Sequence, residues 1–429
     1  MQSSKQFFII VILFSGFLFP FGCRKEIIRP KKPQLLIIGM DGLEPRVLND
    51  LLHQHKLPNF QRLLEAGSFA KITCVVGMTS PVVWTSIATG VPPEVHGVTG
   101  FTVENVPVTS TLRRVPAFWN ILSKQKISVA TFGWLASWPA EKDGGIMVTD
   151  RALFENLESS VFPPGVVDTA HLPPPEKDFL AKFTPYPFNP SYESLKKTDP
   201  QYAANFLLDH RLMDIYKRDW AYTNMARRVL KEKDPDVLAV YLQGADYVGH
   251  GFWKYYEPEP FRKEGWKIEE SEIDYFKDII PRYYIFLDSL LGKLLRNARK
   301  DSTIILLSDH GFGPGLGLFA VQAGDFLSGN HRPQATLILS GTNIRHGVLQ
   351  TGMITHLDIL PTILFNLELP LARDQYGYPL LDYFTDEFLN NSKIKLVQSY
   401  GPPKGKGAVE RSRTDEEILH ELRSLGYIQ

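Results

Sequence analysis

Cysteine is nearly absent. The chain has two, Cys23 and Cys74, in 429 residues. Two cysteines so placed make no disulfide framework. Cys74 lies in the strand-like stretch 70–76 and reads as core filling. A charge excess of either sign is also missing. Lys+Arg and Asp+Glu number 47 each, so the formal net charge is zero. With no basic excess and no contiguous basic patch, no nucleic-acid-binding module is expected. Internal repeats are absent too. The hydrophobic fraction of 44% and charged fraction of 22% are those of an ordinary globular protein. The length suits one large α/β domain with insertions, or two domains.

Long apolar runs are confined to the N-terminus. Lys5 precedes an apolar stretch from Phe7 to Phe21, short for a membrane span of about 20 residues. The stretch ends in Phe21-Gly22-Cys23, which resembles a bacterial lipoprotein signal, although Pro20 stands where an aliphatic residue is usual. Residues 1–23 are therefore expected to be a targeting segment, with Cys23 lipidated or the apolar run kept as an anchor. Arg24, Lys25, Arg29, Lys31 and Lys32 follow the run, opposite to the positive-inside expectation. Residues 24–33 read as a tether. The expected location is periplasmic or cell-surface, held at a membrane.

The body alternates strand and helix signals. Strands are expected near 34–40, 69–76, 127–132, 236–243, 303–308 and 334–340. Helices are expected near 57–66, 81–89, 115–124, 218–232, 272–298 and 357–367. That alternation predicts an α/β fold, a mostly parallel central sheet with helices on both faces. Residues 152–217, rich in proline and aromatics, break the rhythm and read as an inserted cap. Residues 251–271 carry Phe252, Trp253, Tyr255, Tyr256 and Trp266 and read as a lid-forming loop. The main domain is placed at 34–385. The tail, 386–429, is polar. Its linker, 401–407, precedes a capping box of Thr414 and Glu417 that opens a short helix.

Three apolar runs end in acids or histidines: 35–40 before Asp41, 238–242 before Asp246 and His250, and 304–307 before Asp309 and His310. Carboxylates and imidazoles gathered at the C-terminal ends of parallel strands form an open metal site. That pattern points to a metal-dependent hydrolase. Thr79-Ser80-Pro81 follows another strand signal. Pro81 suits the first position of a helix, which leaves two hydroxyls where free N–H groups favour an anion. Either hydroxyl is then a nucleophile or a plain N-cap.

These stretches together resemble the alkaline phosphatase superfamily, and most closely its type I phosphodiesterase/nucleotide pyrophosphatase branch. The matching elements, in order, are Gly39-Met40-Asp41-Gly42, Thr79-Ser80-Pro81 through Thr89-Gly90 with His96-Gly97, and Asp246-Tyr247-Val248-Gly249-His250. Ser308-Asp309-His310-Gly311, Gly329-Asn330-His331 and 358–364 follow. The resemblance implies two zinc ions, with manganese as the alternative metal. Asp41, Thr79, Asp309 and His310 would hold one. Asp246, His250 and His331 would hold the other. His356 is the rival for the last position. Thr79 would be the nucleophile of a two-step displacement through a phosphothreonine.

The remaining candidates read differently. His96 is expected to hydrogen-bond within a turn, and Asp358 to be a first-turn acid. Arg113 and Arg114 either reach a substrate phosphate or form a solvated turn. The asparagine of the nucleotide pyrophosphatases has no clear counterpart after Gly97, since Asn105 falls late. Cys74 begins no Cys-x-Pro-x-Arg element, so the resemblance does not extend to sulfatases. The expected substrate is a phosphate ester, first a diester. The alternatives are a phosphomonoesterase or phosphotransferase on the same site, and a non-catalytic binding lipoprotein.

Overall fold

The computed structural model describes residues 33–167, 200–317, 327–401, 403, 405, 407–424 and 426–428. The expected targeting segment 1–23 and nearly all of the tether 24–33 lie outside the described residues, as do 168–199 of the expected cap.

Nine strands form one sheet. In spatial order they are Ile354–Thr355, Gly67–Thr73, Gln334–Gly341, Thr303–Leu307, Leu35–Met40, Val237–Leu242, Val129–Phe132, Ile146–Val148 and Val161–Phe162. The centre is parallel: Met40 pairs Leu242 on one side, and Gly39 pairs Leu307 on the other. Within this sheet, among the described residues, antiparallel pairings occur only on the two sides of Gln334–Gly341 and at the Val161–Phe162 edge. The three central runs are aliphatic at nearly every position because both faces of a parallel sheet are covered.

Alternation then assigns each side chain to a face. Leu36, Ile38 and Met40 pack with the helices Pro45–His53, Pro58–Glu65, Pro200–Lys233, Gly244–Tyr256 and Ile279–Leu295. Leu35 and Ile37 pack with Ser80–Thr89, Phe118–Lys124 and Ile359–Asn366. The consequence for function is geometric. The chain leaves the ends of Leu35–Met40, Val237–Leu242 and Thr303–Leu307 at one edge, so Asp41, Asp246 and Asp309 emerge together.

The structure corrects three sequence readings. Residues 251–271 are not a lid loop: they extend Gly244–Tyr256 and form Pro258–Lys263. Phe252, Trp253, Tyr255 and Phe261 are buried, because these aromatics cover the sheet face. The expected helix 272–298 is two, Glu270–Phe276 and Ile279–Leu295. At the two described ends of the expected cap, Val161–Phe162 pairs with the sheet and Pro200–Lys233 packs on it. At Thr414, Glu155 rather than Glu417 takes the cap contacts, accepting from the Thr414 N–H at 3.0 Å and its hydroxyl at 2.8 Å. Among the described residues, no helix is long and apolar enough to cross a membrane.

Candidate metal centre

Close packing brings the ligand-bearing elements together. Gly39 lies under the Trp84 ring: a Cβ there would sit 2.6 Å from it. That approach lets the Trp84 indole N–H donate to Asp41 Oδ2 at 3.1 Å, while the Tyr241 hydroxyl donates to the same oxygen at 2.5 Å. Asp246 and His250 sit four residues apart on Gly244–Tyr256, so both project from one face. His331 belongs to a hairpin of Gly311–Pro314 and Gly329–Arg332. At Gly329 a Cβ would fall 2.0 Å from the Gly249 carbonyl oxygen, so only glycine lets the hairpin lie against that helix.

Three imidazoles are oriented the same way. Nδ1 of His250 faces the Gly329 carbonyl at 3.0 Å, that of His310 the Gly311 carbonyl at 3.1 Å, and that of His331 the Met78 carbonyl at 2.8 Å. A carbonyl only accepts, so each Nδ1 carries the proton. Each Nε2 is left with a lone pair, and all three turn inward. Nε2 of His250 and of His331 are 2.8 Å apart. His331 Nε2 is 3.2 Å from Asp246 Oδ1. His310 Nε2 is 3.3 Å from Asp41 Oδ1, 3.3 Å from Asp309 Oδ2 and 3.6 Å from Asp246 Oδ1. Two lone pairs facing each other are repulsive without a cation. Imidazoles fixed through Nδ1–H on a carbonyl are the usual outer support of metal ligands.

The donor atoms fall into two groups, Asp246–His250–His331 and Asp41–Asp246–His310, each within 4.8 Å. Asp246 is common to both, a sharing that sequence reading did not anticipate. Asp246 Oδ1 and Asp309 Oδ2 are buried without a hydrogen-bond partner among the described residues. Such orphaned carboxylate oxygens are costly unless a cation takes them. Burial raises Asp41 well above the ordinary carboxylate range, and the Asp246 charge adds to this. Burial, then Asp41, does the same to Asp309. Burial opposes the Asp246 charge as well, and only protonated His250 and His331 would hold that carboxyl low. With both rings protonated on Nδ1 alone, a cation is the group left to compensate it. Buried imidazole nitrogens and carboxylate oxygens of this kind fit zinc.

A pH dependence follows. A raised folded-state pKa contributes stability below the ordinary carboxylate value of about 4 and loses it as pH rises through the raised value. Without metal, Asp41 and Asp309 therefore weaken the fold as pH rises toward neutrality. A bound cation removes that penalty and expels their protons. The melting-temperature gap between zinc-loaded and chelator-treated protein is expected to widen from mildly acidic to neutral pH. Equal gaps at both would contradict this charge assignment.

Thr79 is half-buried at the N-cap of Ser80–Thr89 and its side chain makes no capping bond. It lines a cavity with His250, Asn330 and His331. Ser80 is buried, its Oγ 3.5 Å from Asp41 Oδ1 and 3.4 Å from His310 Nε2. Arg113 is not brought to this cluster: it is buried, pairs with Glu141 at 2.5 Å and lies over Trp119. Neither Arg113 nor Arg114 lines the cavities bordering the cluster. His96 is held in its turn, accepting from Val98 N–H at 3.1 Å and facing the Ser86 hydroxyl at 2.9 Å. The Nε2–H of His356 donates to the Ser308 carbonyl at 2.9 Å, so this ring braces a strand end and belongs to neither donor group. Asn105 sits in an exposed turn. One contributor was missed: the Tyr427 hydroxyl lies 2.5 Å from Asp246 Oδ2 and 2.9 Å from His250 Nε2.

Residues 35–342 match the family model of type I phosphodiesterase / nucleotide pyrophosphatase. A search of curated proteins finds no match. Among solved structures, the fold is similar to that of a 2-O GAG sulfatase, at 15% identity and a TM-score of 0.50, covering 86% of this chain and 76% of that one. It is also similar to phosphonoacetate hydrolase from Sinorhizobium meliloti 1021, at 18% identity and a TM-score of 0.41. That match covers 67% of this chain and 58% of the hydrolase.

Proposed function

Because the chain belongs to the type I phosphodiesterase/nucleotide pyrophosphatase family, we propose that it hydrolyses phosphate esters, diesters first, by attack of Thr79 at a two-zinc centre. The observation that carries this reading is the inward convergence of three Nε2 lone pairs on three buried carboxylates. Asp246, His250 and His331 would hold one ion. Asp41, Asp309 and His310, with Thr79, would hold the other. When bound, the two ions supply electrophilic stabilisation of the attacking and leaving oxygens.

The chain's own groups do the positioning. His331 holds the Met78 carbonyl, which sets the backbone immediately before Thr79. The N-terminus of the ten-residue helix Ser80–Thr89 favours the negative charge of the phosphoryl group. The Thr79 hydroxyl loses its proton as its oxygen bonds to phosphorus, and the bond from phosphorus to the alcohol breaks. The departing alcohol leaves with a proton. Water then attacks phosphorus and returns Thr79. Cys74 is not a competing nucleophile, since burial pushes its thiol up to about 12 and Sγ–H donates to the Gly77 carbonyl. The likeness to a sulfatase extends to the fold alone.

The test compares turnover of a p-nitrophenyl phosphodiester with that of the matching monoester by zinc-loaded protein. A diester preference is expected. A monoester preference would move the chain to phosphatase chemistry on the same centre. Turnover of neither, with metal bound, would sink the hydrolase reading.

A further inference from the structure

The C-terminal helix Asp415–Ser424 and the residues after it roof a cavity that opens onto the centre. Asp41, Ser80, Tyr241 and Asp246 line its floor, and Arg218 and Phe154 its wall. The roof is tied down at three places. Asp415 pairs with Arg151 at 3.0 Å, Glu421 with Arg218 at 3.2 Å, and Tyr427 stacks on Phe101 with centroids 4.3 Å apart.

Two of the contacts made by this roof have the chemistry of a substrate. The Tyr427 hydroxyl reaches Asp246 and His250, where the oxygen of an ester would sit. Both Glu421 carboxylate oxygens lie 3.2 Å from Nη2 of Arg218. Arg218 differs from Arg151 in what else holds it. Arg151 donates to the Pro107 and Val108 carbonyls besides Asp415, so its guanidinium is built into the body. Arg218 lies over the Phe154 ring at 4.9 Å and donates to Gln243, but its buried Nε has no partner among the described residues. A half-buried guanidinium that lines the same cavity as the metal ligands, and whose Nη2 already holds a carboxylate from the roof, suits an anion. The rest of the lining mixes apolar groups, among them Val108, Leu135 and Leu422, with Asp150, Arg151 and Asp219. Asp150 is already held by the Ala136 and Trp138 N–H groups, and Asp219 by the Tyr283 hydroxyl and the Gln243 and Gly244 N–H groups.

We propose that Arg218 is a second anion subsite of the cleft, covered here by the chain's own Glu421 while Tyr427 fills the ester position. The ligand class is a phosphate ester whose alcohol part carries an apolar body and a second anionic group. The ester half of that statement rests on the proposed hydrolysis. The anion half rests on Arg218 alone.

The test uses zinc-loaded full-length protein and two diesters that differ in one carboxylate, p-nitrophenyl phenyl phosphate and p-nitrophenyl 4-carboxyphenyl phosphate. The ratio of their kcat/KM values is read. Glu421→Gln frees Arg218 and is expected to raise the ratio in favour of the carboxylate ester about tenfold, the worth of one hydrogen bond to a charged group. Arg218→Met is expected to abolish the preference. Tyr427→Phe is expected to raise kcat/KM for both esters and leave the ratio alone. The second readout is tryptic cleavage after the exposed Arg423. Added 4-carboxyphenyl phosphate should speed it in the unmodified protein, phenyl phosphate less so, and neither in Arg218→Met. A ratio unmoved by Glu421→Gln in folded protein, or cleavage indifferent to the carboxylate probe, overturns the proposal. If no diester is turned over, the diester reading fails, and the cleavage experiment still decides the fate of the Arg218 subsite.

Discussion

Thr79→Ala is expected to lower turnover on the order of 10⁴-fold or more, as loss of a covalent nucleophile does, while Ser80→Ala keeps most of the activity. The two hydroxyls are adjacent, and distance alone does not separate them. Ser80 is 3% exposed, with Oγ 3.5 Å from Asp41 and 3.4 Å from His310. Such long contacts describe a group packed beside the ligands, able to steady them and poorly placed to meet a phosphorus arriving from outside. Thr79 is half-buried, lines the open side of the cluster with His250, Asn330 and His331, and has no capping bond to lose. The discriminating measurements are kcat for each variant and its melting temperature. A folded Thr79→Ala protein that still turns over, beside a dead Ser80→Ala protein, would move the nucleophile one residue along.

The parts of this centre that sequence made legible are those written locally. Asp41, Asp246 and Asp309 each follow a strand whose run of apolar residues announces burial on both faces, and parallel register then carries their ends to one edge. His250 follows Asp246 by one helical turn, so one element supplies both. His331 was reachable only through the resemblance, because its place depends on a short hairpin lying against Gly249. The aromatics of 251–271 misled for a physical reason: composition cannot tell a mobile lid from helices whose rings face the sheet. Arg113 went to Glu141, 28 residues away, by a contact with no local signature. Tyr427 had no signal at all. It meets Asp246 across 181 residues from a polar tail whose period says only that a short helix exists.

Asp246→Asn is the second large effect, and the sharing of this residue by both donor groups is the reason. Its Oδ1 lies 3.2 Å from His331 Nε2, 3.5 Å from His250 Nε2 and 3.6 Å from His310 Nε2. Among the described residues, no other side chain stands in both groups. The two divalent cations proposed above would bring four positive charges, against three negative from Asp41, Asp246 and Asp309. A fourth comes from the nucleophile once it has lost its proton. Removing Asp246 leaves the buried site with a larger positive excess, and an uncompensated buried charge costs about 3–5 kcal/mol. Both ions should therefore be weakened at once. After dialysis, the variant is expected to retain less than one zinc per chain and to lose the zinc-dependent rise in melting temperature. His331→Ala touches one group and should retain one ion. His356→Ala should retain both, since that ring is spent on the Ser308 carbonyl. An Asp246→Asn protein that keeps one tightly bound zinc would show that the carboxylate serves a single ion. Loss of an ion in His356→Ala, but not in His331→Ala, would reassign the last ligand.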